Sequence, residues 1–202
     1  FSNTLPQAPA AQRNKFPLLQ YLDKYIDRTS SKTLFEIGSG TLDHALFFSR
    51  MYPKLTWTPS DSENRSKMIN LFLQENSYTN IKPMSSYLCG KTPPPKEIFD
   101  YIFTANTLHI MSWSECLHLF EDLKSLMKVG TYFFLYGPFK HNESYTSYSN
   151  KEFDKFLRTN NPLSGIRDIE EIKTILLKKN IIFFDQHYLP ANNELYIFTK
   201  KD

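Results

Sequence analysis

An alternation of strand-like and helix-like segments is what most constrains this chain. Strand patterns near 33–37, 55–58, 81–88, 98–104 and 130–136 are separated by helical spacing at 42–52, 63–75 and 113–128. Strands that alternate with helices pair parallel, and the resulting sheet is covered on both faces. The ending breaks this pattern. In "NIIFFDQHYLPANNELYIFTKKD" two strands, near 181–188 and 194–200, are joined by a turn too short for a crossover helix, so they form an antiparallel hairpin. The expected fold is therefore α/β, a mostly parallel seven-stranded sheet with an antiparallel C-terminal hairpin and helices on both faces.

Before the first strand, Phe16, Leu19, Leu22 and Ile26 fall at helical spacing, with Pro17 suited to a first turn, so a helix is expected from Asn14. Residues 1–12 are rich in Pro, Ala and Gln and read as a flexible arm, which leaves one domain over 13–202. Helix starts are expected where Ser112 precedes Glu115, Ser149 precedes Glu152 and Asp168 precedes Glu171, each at capping-box spacing. At 202 residues and 41% apolar content the chain is long enough for one well-filled core.

The net charge of +3 arises from scattered residues with no block of one sign, so no strong nucleic-acid face is expected. Cys89 and Cys116 have neither the number nor the spacing of a disulfide framework or a zinc site. The opening lacks an apolar signal-peptide core, and no apolar run reaches the roughly 18 residues of a membrane span. These features predict a soluble, cytoplasmic protein without a bound metal.

Function is concentrated around "TLFEIGSGTLDHALFFSR". A phosphate loop would need a Gly-Lys-Ser/Thr ending, and a dinucleotide fingerprint a third glycine where Asp43 stands. An adenosine ligand with a sulfonium and an amino-acid tail has no pyrophosphate to cradle; it needs close backbone approach at Gly38, Ser39 and Gly40. S-adenosylmethionine has that chemistry. Asp61 lies 21 residues beyond Gly40, at the end of the second strand, where a carboxylate meets ribose hydroxyls; its other reading is the N-cap of the next helix. Glu36 would face the ligand's ammonium or order the loop, or else cap backbone N–H groups at the strand end. Leu88 and Cys89, at the third strand's end, would wall the adenine. A nucleophilic Cys89 has no neighbour in sequence to lower its pKa.

The segments "AAQRNKFPLL", "EIGSGTLDHALFF", "LTWTPSD", "FDYIFTANTLHIMSW", "YGPFK", "SNKEFD", "GIRD" and "LPANNELYIFTK" together resemble the family of the vertebrate methyltransferase-like protein twenty-six and its bacterial relatives. That resemblance runs from about Ala10 to the C-terminus. It implies a Rossmann-like class I methyltransferase fold with S-adenosylmethionine as cofactor. Members usually read GSGTGQH, so Leu42 replaces a glycine and Asp43 a glutamine, while His44 matches. Members also usually carry Leu-Asp-Val where this chain has Tyr87-Leu88-Cys89. With negative φ, Leu42 would begin the helix and narrow the methionine end of the pocket.

Methyl transfer rests on positioning and exclusion of water, so few catalytic residues are needed. The loop "ANTLHIMSW" would present Asn106 to the cofactor's amino-acid part and His109 as a base; the alternatives are a turn asparagine and a structural histidine. Tyr136, Phe139, Tyr145 and Asn150 are candidate contacts to a small-molecule substrate, or loop packing. Arg167 would bind a substrate carboxylate or pair on the surface with Asp168 or Glu171. Asn192 would wall the pocket from the hairpin turn, and Arg13 would fold over the cofactor. The competing expectation is a binding or scaffold protein that keeps the fold without turnover. A nucleic-acid or protein methyltransferase is disfavoured, because there is no basic tract and no Asn/Asp-Pro-Pro-Tyr/Phe motif.

Overall fold

The central strands are apolar on both faces, as a parallel sheet held between helices requires. In the computed structural model, which describes residues 4–202, β1 (Lys32–Ile37) buries Leu34, Phe35 and Ile37. It pairs parallel with β2 (Leu55–Asp61) on one side and β4 (Phe99–Ala105) on the other. β3 (Ser85–Ser86) extends the sheet beyond β2, and β5 (Met127–Gly137) runs parallel to β4. Direction then reverses: β10 (Asn193–Lys200) is antiparallel to β5, and β9 (Ile181–Leu189) is antiparallel to β10. The seven-stranded order is β3-β2-β1-β4-β5-β10-β9, the expected parallel sheet with an antiparallel C-terminal hairpin.

Helices cover both faces because each carries one apolar stripe. On one side α1 (Pro9–Leu22), α2 (Asp43–Met51) and α3 (Glu63–Asn76) bring Leu18, Phe48 and Ile69 into a core with Leu34, Trp57 and Phe103. On the other, α4 (Trp113–Leu126) and α6 (Ile169–Leu177) bring Phe120, Leu123 and Ile172 against Phe35, Ile102 and Phe133. No helix among the described residues is long and apolar enough to cross a membrane.

Several boundaries differ from the sequence pattern. α1 starts at Pro9 and not at Asn14, since the Ala8 N–H and Gln12 Nε2 donate to the Asp43 carboxylate at 3.1 and 2.7 Å and anchor the segment. Residues 9–12 of the expected arm are thus helical, and residues 1–3 lie outside the described residues. The strand expected over 81–88 contracts to β3 plus a bridge between Trp57 and Ile81; Pro83 has no N–H to offer a ladder. The stretch between β5 and the helix start expected near Ser149, read as a loop, folds into a hairpin of β6 (Phe139–His141) and β7 (Ser144–Tyr145), and α5 (Tyr148–Asn160) follows. β8 (Arg167–Asp168) completes a small sheet in the order β7-β6-β8.

The caps divide in the same way. Ser112 and Glu115 form the full reciprocal box, at 3.1 and 2.8 Å. Asp168 caps α6, but it accepts from the Glu170 N–H. Ser149 caps nothing: Ser147 is the N-cap of α5, its Oγ accepting from the Asn150 N–H at 3.1 Å. Removing the Ser147 or the Ser112 hydroxyl by Ala substitution should cost about 1 kcal/mol of unfolding free energy. Glu152→Ala should stay within about 0.5 kcal/mol. Urea unfolding of the three variants measures this, and a loss of cap size for Glu152→Ala would put the cap back on Ser149.

Candidate functional site

β1 is reached from both sides of the sheet, with β2 on one flank and β4 on the other, so the loops leaving β1 and β4 diverge and open a crevice at the strand ends. The glycine turn occupies that crevice. Gly38 (φ 71°) and Gly40 (φ 55°) are both left-handed. A Cβ on Gly38 would stand 2.7 Å from Thr107 Oγ1, whereas one on Gly40 would meet nothing within 4 Å. Gly38 therefore packs against the loop after β4, and Gly40 presents open backbone. The turn is tied to the end of β2, because the Ser39 N–H donates to the Ser60 carbonyl and the Gly40 N–H to the Asp61 carboxylate, each at 2.9 Å. Asp61 also accepts from the Ser62 N–H at 2.7 Å and faces Arg65 Nε at 3.3 Å. It is not the cap of α3; Ser62 is.

Leu42 takes φ 66°, ψ 13°, against the expectation of negative φ. This left-handed conformation is the one a glycine accepts without strain. Its side chain is fully buried in the core with Phe48 and Trp57, so it does not narrow the crevice. Glu36 also lies beneath the turn, 1% exposed, its Oε2 accepting from Trp57 Nε1 at 2.8 Å. Its other oxygen is 3.7 Å from His44 Nδ1, and His44 Nε2 meets Asn14 Oδ1 at 2.7 Å. Glu36 thus braces α2 and α1 from below, and it borders none of the cavities of the crevice.

Three cavities follow one another along the strand ends. The first, about 200 Å³, is bordered by Gly38, Asp61, Tyr87, Leu88, Cys89 and Met111. A second of about 380 Å³ lies between the glycine turn and α1, bordered by Ala11, Ser39, Gly40, His44, Arg65 and Asn106. The third, about 490 Å³, is bordered by Arg13, Asn14, His109, Tyr136, Asn150, Phe153 and Asn192. Gly38 borders the first and second, and Asn106 the second and third.

Most expected site residues meet here. Burial pushes the Cys89 thiol up to about 11, which keeps it protonated at neutral pH and makes it an apolar wall. Asn106 is left-handed (φ 55°), a conformation asparagine tolerates, and its N–H donates to the Tyr136 carbonyl at 3.0 Å. His109 is 8% exposed and edge-on to Phe153, centroids 5.4 Å apart. Burial, with the Arg167 charge second, holds its pKa down to about 4, so the ring is neutral at pH 7. Asn150 donates Nδ2 to the Asn192 carbonyl at 3.2 Å, and Asn192 donates to Ser149 Oγ at 3.2 Å, joining α5 to the hairpin turn.

Three candidates fall elsewhere. Phe139 is 2% exposed and packs edge-on to Tyr196 inside the core. Tyr145 donates its hydroxyl to the buried Asp154 at 2.6 Å and borders a separate groove. Arg167 spans backbone carbonyls of Leu108 (3.3 Å), Met111 and Leu163 (2.8 Å), pairing with neither Asp168 nor Glu171. It fixes the loop that carries His109. Phe153, Ser149, Thr107 and Met111 were missed. Phe153 follows Asn150 by three positions and shares its helical face, a signal that was present; Thr107 had none.

The model of the family described as protein of unknown function (DUF938) matches residues 5–200. The chain belongs to that family. Among solved structures, it superposes on the S-adenosylmethionine-dependent methyltransferase SibL in its apo form with TM-score 0.76 at 16% identity, covering 95% of this chain and 56% of that one. Human N-acetylserotonin methyltransferase in complex with S-adenosylmethionine gives TM-score 0.71 at 18% identity, over 94% and 52%. An O-methyltransferase family 2 protein from Planctomyces limnophilus, in complex with apigenin, gives 0.74 at 13%, over 99% and 63%. These likenesses establish the fold, and the DUF938 chain spans little more than half the length of the first two.

Leu42 offers a test of the turn. Replacing it with Gly relieves about 1–2 kcal/mol of left-handed strain, while deletion of a buried leucine side chain costs about 2–5 kcal/mol. Leu42→Gly should therefore unfold at lower urea concentration than the wild type; a higher midpoint would show that strain outweighs packing at this position.

Proposed function

We propose that this chain is an S-adenosylmethionine-dependent methyltransferase acting on a small molecule, as its resemblance to the methyltransferase-like twenty-six family implies. The observation that carries the reading is the run of three cavities through Gly38 and Asn106, with Asp61 bordering the first, where it would meet a ribose. Neighbours described with S-adenosylmethionine or S-adenosylhomocysteine bound support it. The residues present fit the cofactor: Gly40 leaves free the space a Cβ would fill, Asp61 offers carboxylate oxygens, and Leu88 with Cys89 forms an apolar slot.

When bound, the cofactor supplies a methyl group activated by a positive sulfonium. Asp61 would take the ribose hydroxyls, Leu88 and Cys89 the adenine faces, and Asn106 with the Ser39–Gly40 backbone the amino-acid part. Across Asn106, His109 borders the third cavity as an uncharged imidazole and can accept a proton from the acceptor. α1, α5 and the hairpin turn at Asn192 wall that cavity and limit water.

Titration calorimetry with S-adenosylmethionine and S-adenosylhomocysteine is the direct test. Absence of binding at millimolar ligand would leave a binding or scaffold protein, the reading that the missing carboxylate at Tyr87-Leu88-Cys89 favours. Asp61→Ala should weaken binding by roughly tenfold or more, about 1.4 kcal/mol; an unchanged affinity removes Asp61 from the ribose site.

His109 gives a pH signature. Its folded pKa, about 4, lies below the ordinary 6.5, so between these values the unfolded chain binds more protons. Its contribution to stability is complete above pH 6.5 and is lost as pH falls through about 4. His109→Gln should flatten that part of the stability curve and lower turnover by roughly a hundredfold. A wild-type curve flat from neutrality down to pH 4 would show that the ring takes up its proton at the same pH folded as unfolded.

A further inference from the structure

The third cavity, which the methyltransferase reading assigns to the acceptor, has one-sided chemistry. No aspartate or glutamate lines it. At its mouth the exposed Arg13 makes no hydrogen bond or ion pair with any described residue. Next to it Asn14 is 5% exposed, and its Oδ1 is committed to His44 Nε2, which must carry the proton of that 2.7 Å bond. Asn14 Nδ2 is buried and makes no hydrogen bond of good geometry among the described residues, with only the Tyr136 hydroxyl close to it. An unsatisfied buried donor costs about 1–3 kcal/mol, so this position calls for an acceptor atom brought by a ligand.

A third donor stands beside these two. Tyr136 is 3% exposed, and burial pushes its hydroxyl up to about 12 against the opposing effect of the Asn14 and Asn193 side chains and the Arg13 charge, so it remains protonated. Guanidinium, amide N–H and phenol O–H together present donors and positive charge, with no negative charge opposed to them. Pro17 and Phe153 supply flat apolar walls, and a volume of about 490 Å³ suits a small molecule. We propose that the acceptor is a small planar carboxylate, its carboxylate held by Arg13 and Asn14 Nδ2 and its body laid against Phe153. This rests on the methyltransferase reading only in calling the ligand an acceptor.

The same carboxylate chemistry is present in the cofactor's amino-acid tail, and the test separates the two sources. The full chain is titrated by calorimetry with S-adenosylhomocysteine, and then, in its presence, with millimolar benzoate and cinnamate and with benzamide and cinnamamide. The acids should bind and the amides bind at least roughly tenfold more weakly. Arg13, expected over the cofactor, borders only the third cavity; Arg13→Gln should therefore abolish that preference while S-adenosylhomocysteine affinity stays within about threefold. Arg13→Lys, which keeps the charge, should retain part of it.

Equal binding of acids and amides, or binding of neither, overturns the proposal. So does a loss of S-adenosylhomocysteine affinity of roughly tenfold in Arg13→Gln, which assigns the guanidinium to the cofactor's own carboxylate. If the wild type binds no S-adenosylhomocysteine, both readings fall; if it binds that but no carboxylate, the carboxylate proposal alone falls.

Discussion

The hydrogen bond from the Gly40 N–H to the Asp61 carboxylate, 2.9 Å long, is the constraint on which the site depends. It joins the turn after β1 to the end of β2, while Gly38 presses on Thr107 in the loop after β4, so three strand ends are fixed relative to one another. Every cavity of the crevice is bordered by residues of these three ends or of the segments they hold. An ionised carboxylate has about four acceptor positions. Gly40, Ser62 and Arg65 engage Asp61 on both oxygens, and the carboxylate remains 18% exposed toward the crevice. The residue that orders the turn thus keeps capacity to meet a ligand.

Below the turn, the polar groups are placed at a cost that packing offsets. Glu36 is buried, and a buried carboxylate is tolerated only when its oxygens are met. Trp57 donates to one, the other lies 3.7 Å from His44 Nδ1, and the Nε2–H of that ring donates to Asn14 Oδ1. In this way the glycine turn, α2 and α1 share one polar network. Leu42 shows the same balance in apolar form: its left-handed backbone is strained, but its side chain fills the core beside Phe48. A leucine can stand at this left-handed position because its side chain turns inward, away from the crevice.

What could be read from the sequence was local or periodic. β1, the glycine turn and α2 were legible because a strand pattern changes to a helical one across two glycines. The C-terminal hairpin was legible because its turn is too short for a helix, and Asp61 because its distance from Gly40 is set by one helix and one strand. The small sheet was not legible, because β7 and β8 are two residues long and a period of two cannot show itself over two positions. Arg167 was misjudged for a different reason. Its partner Leu108 is 59 positions away, and backbone carbonyls have no signature in sequence. Ser149 has a capping-box glutamate three positions on and Ser147 has only Asn150, so the pattern pointed to the wrong serine.

That misjudged arginine bears on the chemistry. Held by the carbonyls of the loop, the Arg167 charge adds to burial in keeping His109 neutral. A base whose pKa is about 4 is always ready to accept a proton at neutral pH but holds it weakly. Taking a proton outright from a phenol, whose ordinary pKa is about 10, would be uphill by about 8 kcal/mol. On the proposed reading, transfer to His109 requires the proton to leave as the new bond forms; an acceptor that arrives as an anion needs no base. The donors of Arg13, Asn14 and Tyr136 would ease that transfer, since they stabilise the negative charge that develops in the same cavity as the weak base takes up the proton.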